Sequence, residues 1–558
     1  MTIQVFPDNT LFYGDNLDVL RKRFPNECID LIYLDPPFNS KADYNILFKE
    51  TTGEQSAAQI QAFSDFWHWN TAARHAYEYL ISNQVNEKVA SLSEALYRFL
   101  GTNDMSAYLF MMTERLLELY RVLKPTGSLF LHCDPKASHY LKIVLDAIFD
   151  PINFRNEIIW KRTFAHNDAI RCGAIHDTIL FYTKSPNYYW HTILLPLSED
   201  YKEEFLDQKD KKTGKRYARI DLTGAGVTKD GESGKPWRGI DPTAKGRHWA
   251  YSHDELERLD KEGRIHWPRK GVPRYKKLED EFDGISLQDI WNDIRPLHNL
   301  SKERLGFQTQ KPLPLLERII ESASKEGQWV LDPFCGCGTT IIAAEKLRRH
   351  WVGIDITYLA INLVKNRLET SFPECEFEVE GEPRDMGAAI ELAKNRYQFQ
   401  WWALSLVGAR PVGSKQASPH EGKKGADEGV DGWLRFSDGV VGHAERVVVQ
   451  VKSGHVGVKD IRELRDVVNR QKAAIGLFLT LEEPTREMIK EIGVTSPYVS
   501  PRWKHEYPKI QILTIENLFN GKKPDMPPTV NSLQEAPQLE RRARGVQTRF
   551  NKEKSEVT

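Results

Sequence analysis

The sequence predicts an α/β protein in which a doubly wound sheet with an inserted region precedes a smaller α/β domain. Two motifs carry this prediction, Leu34–Phe38 (LDPPF) and Leu331–Thr340 (LDPFCGCGTT), because each begins at the end of an apolar run typical of a buried parallel strand. A third observation is the change of character after about Glu380, where another set of predicted strands and helices begins.

Composition is typical of a globular protein of two or three domains, with 558 residues, 40% hydrophobic and 28% charged. No stretch approaches a membrane span and no charged-then-apolar leader opens the chain, so we expect no membrane partner and a cytoplasmic location. The six cysteines form no CxxC pairs, which indicates neither a disulfide framework nor a zinc site. A net charge of -1 does not by itself indicate nucleic acid.

The downstream motif predicts a nucleoside cofactor. Trp329–Leu331 is a predicted strand and Thr339–Leu347 a predicted helix, so the glycine-containing turn lies at a strand-to-helix switch. A nicotinamide site needs a further glycine where Ile341 stands, and a Walker site needs Gly-Lys-Ser/Thr, so both alternatives weaken. Asp355 ends the next predicted strand, the usual position for a carboxylate that accepts from ribose hydroxyls.

The upstream motif predicts a rigid corner that can hold an amine. Asp35 offers a carboxylate, Pro36 and Pro37 offer carbonyls on a stiff backbone, and Phe38 offers an aromatic face for stacking. For the tetrapeptide alone, a strand that happens to end at a Pro-Pro turn is the alternative. The glycine motif downstream favours the chemical interpretation.

Asp35–Phe38 followed much later by Asp332–Gly338 resembles the β-class DNA amino-methyltransferases, in which the catalytic motif precedes the cofactor motif. Gly14–Leu17 looks like the family's adenosine-contacting segment, and Thr309–Pro312 looks like the element that leads into the cofactor strand. The resemblance covers about the first two-thirds of the chain. It implies an S-adenosylmethionine (SAM)-dependent methyltransferase sheet with SAM as the cofactor.

The resemblance also implies roles for individual residues. Asp35, Pro36, Pro37 and Phe38 would be catalytic. The cofactor would be bound by Asp15, Lys311, Asp332, Phe334, Gly336, Gly338, Thr339 and Asp355.

The reaction implied is methyl transfer from SAM to adenine N6 in duplex DNA. The adenine must be flipped out of the helix, after which Phe38 would stack on it while Asp35 and the Pro36 carbonyl accept from the amine. Cytosine N4, an RNA base and a glutamine amide remain alternatives, although Asp35 favours adenine because cytosine enzymes often carry Ser there. A DNA-binding sensor with decayed sites is a further alternative.

Between the two motifs, Lys209–Lys277 mixes Lys and Arg with Trp, Tyr, His and Gly. Such a stretch can neutralise phosphates and offer side chains to bases, but a solvated loop region with ordinary salt bridges has the same composition. β-class enzymes keep their target-recognition region at this place, so the resemblance implies DNA recognition within about residues 190–300. Ser40–Asn103 is expected to be a mostly helical insertion.

Further elements complete the expected sheet. Ala107–Leu123 has helical periodicity and is closed by the turn sequence KPTG, after which Ser128–Asp134 is a predicted strand. We interpret His132 and Asp134 as polar residues at the strand end rather than as a catalytic acid or base.

The C-terminal region predicts a small α/β unit. Its elements are a helix at Ala388–Gly408, an acidic turn within Gly425–Leu434, a strand at Arg446–Ser453, a helix at Lys459–Val468, and strands at Ala474–Thr480 and Lys509–Ile515.

This unit resembles the PD-(D/E)xK nucleases of the Mrr type, with Asp431, Gln450 and Lys452 as the catalytic residues. The resemblance implies that Asp431 holds Mg²⁺ and that Lys452 orients the attacking water. The sequence departs from these nucleases in one respect. It lacks the helical Glu that many of them have, and Gln398 and Gln400 lie where that residue would be expected. A domain that grips DNA without cutting it is the alternative.

The expected organisation is therefore a methyltransferase domain at 1–380, a restriction-endonuclease-like domain at 386–526 and a disordered tail at 527–558. The expected partners are double-stranded DNA and either a second copy of the chain or a restriction-modification partner.

Overall fold

The structure is a computed structural model that describes residues 9–37, 69–82, 85–164, 172–269, 271–297, 303, 310–411, 429–436 and 445–527. The packing of the chain separates two compact units. Residues Thr192–Gln288 belong to one, and the described residues before and after them belong to the other.

Nine of the described strands form one mixed sheet in the larger unit. They are β1 (Asn9–Tyr13), β2 (Ile29–Leu34), β3 (Leu123–Cys133), β4 (Phe154–Lys161), β5 (His176–Thr183), β6 (Ile290–Trp291), β7 (Trp329–Asp332), β8 (His350–Asp355) and β9 (Phe377–Glu380). Their spatial order is β6-β4-β5-β3-β2-β7-β8-β1-β9. Only β5 runs antiparallel to its neighbours β4 and β3. The predicted α/β sheet is confirmed.

The helices that accompany this sheet bury apolar faces against it. They are α1 (Asn16–Arg23), α2 (Thr71–Leu80), α3 (Glu87–Leu100), α4 (Asp104–Val122), α5 (Pro135–Phe149), α6 (Leu313–Ala323), α7 (Thr339–Lys346) and α8 (Tyr358–Ser371). α4 begins with a capping box between Asn103 and Ser106. β2 is buried along its whole length, as expected for a central parallel strand.

The predicted boundary at Lys124–Gly127 is drawn differently by the assigned elements, since the helix ends at Val122 and β3 is assigned from Leu123. This segment is paired at both ends, since the Cys28 amide donates to the Val122 carbonyl and the Lys184 amide donates to the Gly127 carbonyl. Between these ends the register with β2 shifts from the Ile29–Leu123 pair to the Leu31–Ser128 pair, so Lys124–Gly127 lie outside the ladder and its regular part begins at Ser128, as predicted.

The described part of the Ser40–Asn103 insertion is largely helical, as expected, and comprises α2 and α3. Phe38 and the remaining residues of this segment before Trp69 lie outside the described residues. Among the described helices, none is long and apolar enough to cross a membrane.

The smaller unit is built from short strands around a tryptophan-rich core. A four-stranded sheet contains Gln208–Lys209, Arg216–Asp221, Arg274–Leu278 and Ile265–His266. Two-stranded ribbons pair Thr223–Ala225 with Arg247–Trp249 and Leu194–Leu195 with Ile285–Ser286. Its α-helices are Glu199–Phe205 and His253–Lys261. Trp237 and Trp249 are buried and meet edge to face.

The C-terminal residues of the larger unit form a second sheet with its own helices. The strands are β10 (Arg410–Pro411), β11 (Gly432–Phe436), β12 (Glu445–Lys452), β13 (Ile475–Thr480) and β14 (Ile510–Thr514), in that spatial order. A short hairpin pairs Tyr498–Val499 with Glu506–Tyr507. The helices are α9 (Met386–Ala393), α10 (Arg396–Leu406), α11 (Val458–Arg470), α12 (Arg486–Gly493) and α13 (Ile515–Phe519).

The predicted helix Ala388–Gly408 is in fact two helices, α9 and α10. Asn395 breaks the run because its side chain accepts from the Gln398 amide and caps α10.

Candidate active site

The carboxyl ends of several parallel strands meet at one edge of the large sheet. Asp35 follows β2, Asp332 ends β7, Asp355 ends β8 and Gly14 follows β1. Because β2, β7, β8 and β1 are consecutive neighbours, the two sequence motifs lie beside each other although about 300 residues separate them.

The glycine turn after β7 has the conformation that its sequence predicts. Gly336 and Gly338 have φ values of 48° and 74°, in the left-handed region that favours glycine. The Gly338 amide donates to the Cys335 carbonyl at 2.7 Å. A Cβ atom at Gly338 would lie 2.5 Å from Val364 Cγ2, so the turn also needs glycine for its packing against α8. Cys335 and Cys337 are buried and fill this turn.

Asp355 is held by three donors at the start of α8. Its Oδ2 accepts from the Gly336 amide at 2.9 Å, and its Oδ1 accepts from the Thr357 amide at 2.9 Å and the Thr357 hydroxyl at 2.8 Å. Burial raises the pKa of Asp355, while these hydrogen bonds oppose the rise. The carboxylate is thus fixed against the glycine turn with acceptor capacity to spare.

Asp332 lies deeper, at 2% exposure, and its Oδ1 accepts from the Phe334 amide at 3.0 Å. Burial raises the pKa of Asp332 to about 7, against the lowering effect of hydrogen bonds from Thr340 and Phe334. Phe334 is half-buried, and Thr339 is buried at the first position of α7.

Asp15 and Asn16 are held in place by a residue that the sequence did not reveal. Arg115, buried on α4, donates to Asp15 Oδ2 at 2.8 Å and to Asn16 Oδ1 at 2.7 Å. Asn16 Nδ2 in turn donates to the Pro333 carbonyl at 2.7 Å. The available signal was an arginine near the middle of the largely apolar helix Asp104–Val122.

The corner predicted to be catalytic contains an ion pair. Lys311 Nζ lies 2.5 Å from Asp35 Oδ2, and both side chains are largely buried, with 11% and 15% exposed. Lys311, predicted to bind the cofactor, therefore contacts the predicted catalytic carboxylate. Pro36 and Pro37 continue the corner after β2, whereas Phe38 and Thr309 lie outside the described residues.

The C-terminal residues predicted to form a nuclease site do not form a metal centre. Asp431 Oδ1 accepts from Gln400 Nε2 at 2.7 Å, and Asp431 Oδ2 accepts from the Val451 amide at 2.7 Å. Gln450 donates to the Gly429 carbonyl, and Lys452 Nζ is directed to Asp460, 3.8 Å away.

The structure therefore does not support the predicted Mg²⁺ site at Asp431. Within the described ranges, no cluster of three or more His, Cys, Asp or Glu side chains is arranged to hold a metal ion. Both carboxylate oxygens of Asp431 accept from amide N–H groups. Because the positive end of an N–H dipole repels a cation, these donors disfavour metal binding there. Gln400 occupies the place of the helical Glu whose absence the sequence indicated.

In the smaller unit, many of the basic residues predicted to face DNA are paired with acids of the same unit. Arg238 pairs with Glu257, and Arg247 with Asp221. Further pairs are Arg219–Asp207, Arg264–Glu281, Lys215–Asp280 and Lys276–Asp210. Lysines that remain exposed include Lys211, Lys229, Lys235 and Lys245.

The chain resembles known proteins over both of its parts. A family model described as "NACHT-associated inactive Restriction Endonuclease 1" matches residues 417–520. The type II methyltransferase M.EcaI of Enterobacter cloacae is 32% identical over 263 residues, which are 47% of this chain and 57% of that protein. The Mod subunit of the type III restriction-modification enzyme StyLTI of Salmonella typhimurium is 27% identical over 358 residues, 61% of this chain and 50% of that subunit.

The chain thus spans about half the length of these two relatives. Among solved structures, a putative DNA modification methylase of Thermus thermophilus in complex with S-adenosyl-L-methionine has 17% sequence identity and a TM-score of 0.33, over 67% of this chain and 99% of that one. A family model described as "DNA methylase" matches residues 29–366, more than half of the 558 residues. The protein therefore belongs to the N6/N4 DNA methylase family.

Proposed function

We propose that this protein transfers a methyl group from SAM to an exocyclic amine of a base in DNA, with adenine N6 as the favoured target. The observation that carries the proposal is the position of Asp35 and the glycine turn at the ends of the neighbouring strands β2 and β7. An amine held by Asp35 would lie beside a methyl donor bound at the turn. Membership of the DNA methylase family supports DNA as the substrate.

The residues at this edge fit SAM. The Asp355 carboxylate is fixed by the Gly336 amide and by Thr357, and its remaining lone pairs suit ribose hydroxyls. Asp15 is held by Arg115 and is 37% exposed at the same edge, as the adenosine-contacting role requires. When bound, SAM supplies a methyl group already activated by its sulfonium.

The chain's own residues then orient the nucleophile. Asp35 and the Pro36 carbonyl accept from the amine, which directs its lone pair toward the methyl group. Lys311 holds Asp35 in place through the ion pair at 2.5 Å. The base reaches this site by flipping out of the duplex, and Phe38 stacks on it.

Nucleoside mass spectrometry tests this function. Duplex DNA incubated with the protein and SAM should yield N6-methyladenine. N4-methylcytosine instead would support the alternative target, for which Asp35 would play the same part. Unmethylated DNA of every sequence tested would refute the proposal.

The cofactor assignment has its own measurement. Gly336→Val and Asp355→Ala should each weaken calorimetric SAM binding by about 1–3 kcal/mol, because they block the turn or remove a charged hydrogen-bond acceptor. Unchanged affinity in both variants would contradict the assignment.

We propose that sequence recognition lies in Lys209–Lys277, with exposed lysines such as Lys211 and Lys245 on the phosphates. Many of the arginines there stabilise the unit through internal pairs, so the aromatic and loop residues become the stronger candidates for base contacts. Exchanging this segment with that of a related methylase should move the methylated site. A hybrid that keeps its original site would place recognition elsewhere.

For the C-terminal domain, we propose a role in holding DNA without cleaving it. The occupied oxygens of Asp431 and the "inactive Restriction Endonuclease" description of its family support this choice over the nuclease. Plasmid DNA, with and without prior methylation, should stay intact with Mg²⁺ in the presence and absence of SAM. Cleavage abolished by Lys452→Ala would instead restore the nuclease interpretation.

A further inference from the structure

Three buried polar side chains form a hydrogen-bonded chain across β2, β3 and β5, at the edge that carries the catalytic corner. The Tyr33 hydroxyl lies 2.9 Å from His132 Nδ1, and His132 Nε2 lies 3.1 Å from Asp177 Oδ2. Tyr33 is 2% exposed, His132 0% and Asp177 3%. We name these three residues the Tyr-His-Asp chain.

The position of Tyr33 connects this chain to the reaction. Tyr33 lies near the end of β2, two residues before Asp35, which directly follows the strand; at this spacing extended residues lie on the same face. Leu34 pairs with Leu131, which places His132 beside Asp35 in the register of the sheet. Burial, and then the nearby carboxylates of Asp35 and Asp332, raise the pKa of Tyr33 well above its usual value. The Tyr33 hydroxyl thus keeps its proton close to both the catalytic and the cofactor halves.

Asp177 anchors the other end of the chain. Burial acts to raise its pKa, but the hydrogen bond from His132 and the charges of His132, Lys311 and Arg162 outweigh burial and lower the pKa of Asp177. Arg162 Nε lies 3.2 Å from Asp177 Oδ1 as an ion pair. Because a carboxylate only accepts, His132 donates to Asp177 through Nε2, and its other ring nitrogen, Nδ1, is hydrogen-bonded to the Tyr33 hydroxyl.

Stability alone does not account for such a chain. The positions around it on β2 and β3, among them Ile32, Leu34 and Leu131, are buried and apolar. Well-packed apolar residues are commonly as stable as a buried charged network, because burying polar groups has a desolvation cost. Buried polar networks that fix a unique geometry are instead frequent beside reacting groups.

We propose that Tyr33 and His132 are positioning residues for methyl transfer: they fix the end of β2, and with it Asp35, relative to β3 and β5. Asp177 orients His132 for this task. The inference rests on the proposed methyltransferase function and adds residues to it that neither motif contains. Neither Tyr33 nor His132 needs to touch the substrate.

The test compares Tyr33→Phe with Tyr182→Phe. Tyr182 is a matched control, since it is buried on β5 and its hydroxyl donates to Asp146 Oδ1 at 2.7 Å, away from the corner. Both variants lose one buried hydrogen-bonded hydroxyl. We expect Tyr33→Phe to lower kcat roughly 10-fold with an unchanged KM for SAM, the scale of one lost hydrogen bond. Tyr182→Phe should lower only the melting temperature.

A double variant separates positioning from packing. If the chain acts as a unit, Tyr33→Phe combined with His132→Leu should reduce kcat no more than His132→Leu alone. Asp177→Asn, which preserves shape and removes the charge, should reduce kcat in the same direction as Tyr33→Phe.

Three results would overturn the inference. One is wild-type kcat in Tyr33→Phe while its melting temperature falls as in Tyr182→Phe, because the chain would then serve stability only. The second is a loss that is multiplicative in the double variant. The third is absence of methyl transfer by the unaltered protein, which would refute the proposed function as well and is therefore measured first.

Discussion

At each of two places in this molecule, the predicted site residues include an aspartate and a lysine. The contacts of these residues differ between the two places. At the methylase edge, Lys311 reaches Asp35 at 2.5 Å, and both side chains border the cofactor motif. In the C-terminal domain, Lys452 is directed to Asp460 at 3.8 Å, while Asp431 accepts from the Gln400 amide and a backbone amide.

The difference indicates that the groups in contact with a carboxylate determine which role the carboxylate can take. A carboxylate beside a lysine is held as an anion that can accept from an amine. A carboxylate whose oxygens both face amide N–H groups serves as a structural acceptor, and a cation would have to displace these donors. The motif alone does not distinguish the two cases.

The largest effect is expected at the first of these two sites. Asp35→Ala should reduce methyl transfer at least about 100-fold, since it removes the acceptor for the amine, and should leave SAM binding largely intact. Asp431→Ala is the matched control and should leave methyl transfer unchanged. Full activity of Asp35→Ala on a short duplex, measured with labelled SAM, would show that the corner has been misidentified.

A second effect concerns the buried carboxylate of Asp332, which is predicted to bind the cofactor. The folded pKa of Asp332, about 7, exceeds the unfolded value of 3.8, so the folded state holds the proton more tightly. Stability must therefore decrease as pH rises from about 4 to 7. Asp332→Asn removes this dependence and should gain up to a few kcal/mol over the unaltered protein at pH 8.

Urea unfolding at pH 5 and pH 8 measures this difference. The advantage of Asp332→Asn should be larger at pH 8 than at pH 5. An advantage that is equal at both pH values, or larger at pH 5, would mean that Asp332 is already ionised in the folded protein at low pH.

A third variant restores an acidic side chain at the helical position that faces Asp431. Gln400→Glu replaces the amide that faces Asp431 with a second carboxylate, which should destabilise the domain by about 1–3 kcal/mol through a lost hydrogen bond and like-charge repulsion. Mn²⁺ or Mg²⁺ should then raise the melting temperature of this variant. Gln400→Ala controls for the lost hydrogen bond and should show no metal response. A metal response in the unaltered protein would contradict our interpretation of Asp431.

The smallest effect is expected for Lys452→Ala. Its side chain is 35% exposed and its ion pair with Asp460 is long, so the loss of stability should stay below about 1 kcal/mol, and methyl transfer should not change. Thermal unfolding and methyl-transfer rates check this. A loss of several kcal/mol would give Lys452 a role that its contacts do not indicate.

The sequence predicted those features that depend on neighbouring residues. The strand ends at Asp35, Asp332 and Asp355 and the left-handed glycines were readable because apolar runs and turn residues are local signals. The missing helical acid was also visible, as Gln400. Its consequence, an amide bonded to Asp431, required the fold.

The other features of the site could not be predicted, because they depend on contacts between residues that are far apart in the sequence. Arg115 reaches Asp15 across 100 residues, and Lys311 reaches Asp35 across 276. The Tyr-His-Asp chain joins residues from three strands, β2, β3 and β5. Their types do not reveal that they are partners, because strand order and register decide the pairing.

The contact between α8 and α10 has a consequence for how this protein can be divided. Tyr358 stacks on Tyr13 with ring centroids 3.8 Å apart, and its amide faces Gln398 at 3.4 Å. Tyr358 is fully buried in the same core cluster as Phe399 and Trp402 of α10. Cutting the chain near residue 384 would expose this aromatic surface three residues from Asp355. The C-terminal domain therefore supports the helix that follows Asp355, so gene fragments or chimaeras should keep α8, α10 and the C-terminal sheet in one piece.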